Sequence, residues 1–422
     1  MANKSVSSGA RAVRLAAFPP VFAMVVLIAA CGGSGTSTTT VSGLKNRAFI
    51  SNSYSGNLQI VDTQNDMTAI TAETTNSAGQ IVPGAPVTIA ISTTVTFEVE
   101  SPNNATTAVY DPSTFSIFFV TNSTETVAGN AALTNNATMA LYSPDSSTMY
   151  AVEPNLPVAG SRSGGVEVVN TSTFAISATY DVPSARYVAL SPSGQYLLVF
   201  AGNSDSLFLI NLQASTVAPV AIPGFARPIN AFFSTDSNTA YVLNCGPECG
   251  SSGAASVAFF NIPSQTITAT VPVGGASVGY LNGTTLYVAG SPVPPGTTST
   301  YDAVNVGNAT RITPNSVPIG DGFHTTMALA TNNKLYIGAI TCSNTTTGCL
   351  SVVDVSSNTA DPPLPPRGAI TSLLAVQNRN VMYTVEGGLL DIYDTTTDTL
   401  QPTQITFTGA LYGIVQVDPL NQ

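Results

Sequence analysis

Three features of this sequence predict an all-β chain folded as a β-propeller. One strand signal recurs at intervals of mostly 40–50 residues, the composition disfavours helices, and the C-terminus carries one strand more than its own unit needs. A repeat of that length holding several strands cannot bury both faces of its sheet alone. Such units must therefore stack around an axis.

Composition comes first because it removes alternatives. Of 422 residues, 44% are hydrophobic and only 8% charged, against the usual ~25% charged. Enough apolar surface is present to build a core, which argues against disorder. Polar positions are filled by Thr, Ser, Asn and Gly, and the body is rich in β-branched residues and turn formers rather than in helix formers. Formal net charge is −11. Three of the twelve cations, Lys4, Arg11 and Arg14, lie in the first 30 residues, where there is no Asp or Glu; the remainder holds nine cations against 23 acids, a net charge of −14. A chain this acidic, with no basic stripe, repels phosphate backbones, and nucleic acid is excluded as a partner.

Residues 1–30 read as an export signal. The cationic start precedes the apolar run VFAMVVLIAA (21–30), which is too short for a membrane span of ~20 residues. Ile28-Ala29-Ala30-Cys31 resembles the lipobox of bacterial lipoproteins, a resemblance that implies lipidation of Cys31 and attachment to the cell envelope; an ordinary signal peptide is the alternative. GGSGTSTTTVSG (32–43) follows as a flexible, uncharged tether. The expected organisation is a signal peptide over 1–30, the lipidated cysteine and tether over 31–44, and one propeller domain over 45–422.

Within that domain each repeat reads as four strands. An innermost strand ends in a turn, as in MALYSPDS (139–146) and YVALSPSG (187–194). A marker strand follows, then a third such as SLFLINL (206–212), then a short outer one such as TITATVPVG (266–274). Taking Phe49, Val109, Tyr150, Leu198, Tyr241, Tyr287, Tyr336 and Tyr383 as register marks, the spacings are 60, 41, 48, 43, 46, 49 and 47. Nothing before Arg47 supplies an innermost strand, whereas LYGIVQVDP (411–419) is a surplus one. That strand is expected to complete the N-terminal blade and close the ring. The count is eight blades, or seven if the irregular stretch 72–135 supplies one distorted blade.

An exported chain favours disulfides. Apart from Cys31 the cysteines form two local sets, Cys245 with Cys249 and Cys342 with Cys349, and local pairing closes each loop between consecutive strands. Metal binding is the competing reading, but it needs four thiolates to converge from distant blades.

NRAFISNSYSGNLQIVDTQND (46–66) and CLSVVDVSSNT (349–359) resemble the YVTN-type β-propeller repeats of bacterial and archaeal surface proteins. The resemblance implies a propeller scaffold shared by proteins of differing activity, so it informs fold more than function.

No catalytic motif stands in the chain. His324 is the one histidine, no GxSxG elbow occurs in a strand–turn–helix context, and there is no HExxH, Walker loop or EF-hand. No catalytic residue, cofactor or metal site is therefore expected. Two constellations remain. Arg186, Arg227 and His324 each precede an innermost strand, within about two positions of equivalent register, where loops border the axial channel, so they are candidates for a ligand-binding rim. There His324 is expected to add a third cationic donor as it titrates near ~6.5. The competing reading is three loop residues satisfied by their own neighbours. Glu98 and Glu100 lie two apart on one strand and share a face, which reads as solvated, with channel lining or cation binding as alternatives. The function these features favour is a non-catalytic scaffold or binding module, held at the membrane by its lipid and meeting a protein or a small anionic ligand. A lyase- or lactonase-like propeller enzyme acting on a small anion is the second reading, and a structural surface-layer component the third.

Overall fold

The computed structural model describes residues 41–418 apart from 72–73, 83, 159–162, 293–297, 343–346, 366 and 403. The export signal, Cys31 and most of the tether lie outside the described residues.

Eight antiparallel sheets follow one another, each a blade of four strands. Every register mark chosen above lies on the second strand of its blade, counted from the axis. Blade 4 shows the plan, with Ala185–Leu190 innermost, then Tyr196–Ala201, Ser206–Asn211 and Pro219–Pro223. Buried side chains form eight clusters, and each cluster joins two consecutive blades. The cluster of Ala48, Ile50 and Ile414 with Tyr383 and Ile392 joins blade 8 to blade 1. Eight blades with eight shared cores make a closed ring.

Closure follows the expected route. Leu411–Gln416 pairs antiparallel with Arg47–Asn52, with Phe49 opposite Val415 and Ile50 opposite Ile414. Arg47 then locks both ends of the chain. Its backbone N–H and guanidinium donate to Asp418, and Nη1 donates to Glu125 of blade 2 at 2.7 Å. Ser42 also donates to Glu125, so the tether joins the ring at this end.

The first spacing of 60 residues reflects an insertion, not a missing blade. The outer strand of blade 1 is split into Met67–Thr68 and Thr88–Ala90, both paired to Asn57–Asp62. Between them the chain makes an excursion that includes the short pair Thr74–Thr75 and Ile81–Val82. The rest of the irregular stretch is a complete blade 2, Glu98–Glu100 to Thr126–Ala132.

Both cysteine pairs are disulfides, with Cα separations of 5.6 Å for Cys245–Cys249 and 5.9 Å for Cys342–Cys349. Each closes the loop between the second and third strands, of blade 5 and blade 7 respectively.

Candidate functional site

The innermost strands begin with a shared irregularity. In blades 4, 5, 7, 8 and 1 their register against the second strand slips near the first residues, a β-bulge that turns one side chain out of the ladder. The residue before the slip is buried: Ala185, Pro228, His324, Ile370 and Leu411 occupy that position. The bulged residue is Arg186, Ile229, Thr325, Thr371 or Tyr412, and it is exposed or half-buried. Arg227 sits one place earlier still.

These register differences put the three sequence candidates in three environments around one cavity of about 590 Å³. Arg186, Arg227 and His324 all line it, from blades 4, 5 and 7. Apolar groups supply much of the remaining wall, among them Met139, Tyr187, Ile229, Val278 and Phe323. Arg186 is exposed and, with Lys45, is one of two described cations outside any ion pair. Arg227 has a left-handed backbone at φ 52° and only a long 3.9 Å approach to Asp205; its Nε is buried without a partner.

His324 departs from the sequence expectation. It is 0% exposed, in a register position where other blades carry Ala, Pro, Ile or Leu. Neither ring nitrogen has a hydrogen-bond partner of good geometry, although the Gly320 and Gly322 backbone lies close enough to favour the protonated ring. Burial pushes its pKa down to about 4, with the backbone at Gly320 and Gly322 opposing only weakly. The imidazole is therefore neutral at pH 5.5, and a third cation that switches on between pH 7.5 and 5.5 is not present.

No family model matches the chain, and no curated protein matches it in sequence. Many solved structures share its architecture. One is a dihydro-heme d1 dehydrogenase, NirN, in complex with DHE, at 11% identity and a TM-score of 0.64, covering 89% of this chain and 76% of that one. Another is a functionally unknown protein from Desulfotomaculum acetoxidans DSM 771, at 12% identity and TM-score 0.52, covering 88% and 98%. Kuenenia stuttgartiensis hydrazine synthase matches at 15% and 0.51, covering 73% and 94%. The chain is a β-propeller. At these identities the likeness carries the fold and nothing further.

Sequence reasoning missed Glu248. It lies on the short 3-10 turn Gly246–Cys249, which the Cys245–Cys249 disulfide closes, and it lines the same cavity. Burial raises its pKa to about 7, against a hydrogen bond of 2.8 Å from the Ser291 N–H. The NCGPECG loop was legible as a disulfide but gave no sign that its tip reaches the cavity.

Glu98 and Glu100 are not on a solvated face. Both are inside the ring on the innermost strand of blade 2, and burial raises them to about 8 and about 7. Glu98 accepts from the Ser51 N–H at 3.3 Å; Glu100 accepts from Thr107 and Asn122 at 2.6 and 2.8 Å. Among the described residues no group of three or more His, Cys, Asp or Glu is arranged to hold a metal ion.

Proposed function

We propose that this is an exported, lipid-anchored envelope protein of the YVTN-repeat kind, whose propeller acts as a binding module with its ligand site at the Arg186–Arg227–His324 cavity. The cavity carries the reading: three of the few Lys, Arg and His side chains in an acidic chain line one concave space, and Arg227 and His324 keep unused hydrogen-bonding capacity there. Export and anchoring are supported by the leader and by the Ile28–Cys31 lipobox pattern. The tether joins the ring near Arg47, where innermost strands finish, while the cavity lies where they begin. The expected behaviour of Cys31→Ser is release to the soluble fraction or accumulation as precursor; a variant that stays in the membrane like its parent contradicts the anchor. An Arg186→Ala/Arg227→Ala double variant should lose small-anion binding, measured by titration calorimetry, while keeping its fold.

Glu248 favours a second reading. A carboxyl raised to about 7 by burial, lining the same cavity as Arg186 and Arg227, has the poise of a general acid–base group, so turnover of the bound anion is the alternative. Loss of that turnover in Glu248→Gln with binding intact would separate the two.

A further inference from the structure

The ligand class can be argued from how the lining is arranged, taking the cavity as the ligand site proposed above. The cationic side is contributed by blades 4 and 5, through Arg186 and Arg227. The blade 7 side offers His324, which is uncharged and can present one donor and one acceptor. Between them lie Tyr187, Ile229, Val278 and Phe323. We propose that the cavity takes an organic acid with an apolar body, its carboxylate on Arg186 and Arg227 and an uncharged hydroxyl or carbonyl group against His324.

Two features make this more than a description of lining residues. First, the orphaned atoms cluster. Among the residues that line the cavity, the Arg227 Nε and both His324 nitrogens are buried without a hydrogen-bond partner of good geometry. A buried polar group left bare is costly, so an occupant that satisfies these nitrogens binds more tightly for it. Second, His324 stands where the fold itself wants an apolar residue, as Ala185, Ile370 and Leu411 show at the same register. A polar group that lowers stability at a site lining a cavity is the pattern of a functional residue. A bare inorganic oxyanion would use the arginines alone and leave the apolar wall and His324 without a role.

Titration calorimetry of the detergent-solubilised full-length chain tests this with 4-hydroxyphenylacetate, phenylacetate, 4-methylphenol and inorganic phosphate. The hydroxy acid should bind about tenfold or more tightly than each of the other probes. Arg186→Ala and Arg227→Ala should each weaken it about tenfold or more. His324→Leu should raise the melting temperature, because it removes buried unpaired nitrogens. The same change should cost the hydroxy acid about tenfold and leave phenylacetate unchanged. Arginine-dependent phosphate binding as tight as that of the hydroxy acid keeps the mouth as a ligand site and overturns the organic-acid assignment. So does a His324→Leu variant with undiminished hydroxy-acid affinity. If no probe binds the parent chain, this assignment and the binding-module reading at this cavity both fall.

Discussion

Glu153 shows what low charge means for individual residues. It ends the second strand of blade 3 fully buried, diagonal to Glu167 on the third strand, and among the described residues no cation pairs with either one. The Asn135 N–H donates to Glu153, and Thr134 donates to Glu167 through both N–H and hydroxyl. Burial, reinforced by the Glu167 carboxylate, raises Glu153 to about 9, so Glu153 keeps its proton at neutral pH. Blade 8 has the related pair Glu386 and Asp391, but there the Arg367 guanidinium bonds to Asp391 while its backbone N–H donates to Glu386. The consequence for pH follows from the raised value. The folded chain keeps a proton that the unfolded chain gives up above 4.5, so this contribution to stability is complete below pH 4.5 and is lost as pH rises toward about 9. Glu98, Glu100, Glu248 and Glu386 are raised in the same direction. Melting temperature should therefore fall between pH 5 and pH 8. In Glu153→Gln the amide donates to Glu167 without needing a proton, and the fall should flatten by about 2 °C for each kcal/mol recovered. A parent protein whose melting temperature rises across that range would overturn this account. None of it is legible in the sequence, because the two acids are fourteen residues apart and only the strand register makes them neighbours.

At the level of the element, the turns between third and outer strands have a second task. Asp66, Asn358 and Asp398 each hold the turn with a backbone φ of 53°, a conformation that Asn and Asp tolerate better than most residues. Each accepts a hydrogen bond from a buried tyrosine of the preceding blade: Tyr383 to Asp66 at 2.5 Å, Tyr301 to Asn358 at 2.9 Å, Tyr336 to Asp398 at 2.7 Å. Glu125, at φ 54°, takes Arg47 in the same way. In blade 3 the position is Phe174, and its ring packs on Phe119 of blade 2 at 5.1 Å instead. The repeat signal thus exposed one half of the device in two cases, the marker tyrosines Tyr336 and Tyr383, while Tyr301 lies on a third strand. The pairing with the turns was hidden because it runs between repeats, and periodicity describes what lies within one. Asp66 is the most connected acceptor, since Arg379 also bonds to it at 2.7 and 2.8 Å across the closing seam. Asp66→Asn keeps the turn but removes the charge, and should lower stability by about 1–3 kcal/mol in denaturant unfolding. Asp236→Asn, at an exposed turn within blade 5, is the control and should leave the midpoint unchanged. Equal behaviour of the two variants would remove the cross-blade bond from the account.

For the whole molecule, blade number and closure rest on different kinds of information. The eight marker strands gave the count, and the long first interval obscured it, since an insertion and a degenerate blade look alike when only spacing is read. Closure depended on strand bookkeeping at the termini, which an insertion cannot disturb. The ring has no intrinsic start, so the strand that completes blade 1 holds together the one seam where the chain is not continuous. Leu411–Gln416 supplies the ladder to Arg47–Asn52, and Leu411, Ile414 and Val417 are buried. Asp418 supplies the carboxylate for Arg47. Deleting residues 409–422 removes all of these together. Three buried apolar side chains alone are worth about 1.5–3 kcal/mol each. Two further costs follow: an unpaired edge on blade 1 and an Arg47 guanidinium that has lost one of its two carboxylate partners. Because each blade is stabilised by its neighbours, an opened seam weakens blades 8 and 1 before any other. The truncated chain should melt roughly 10 °C or more below the full one. Limited proteolysis should cut it first between residues 47 and 68 or between 381 and 400. A truncation that melts with the parent, or is first cut in blades 4 and 5, would show that the seam carries no special share of the stability.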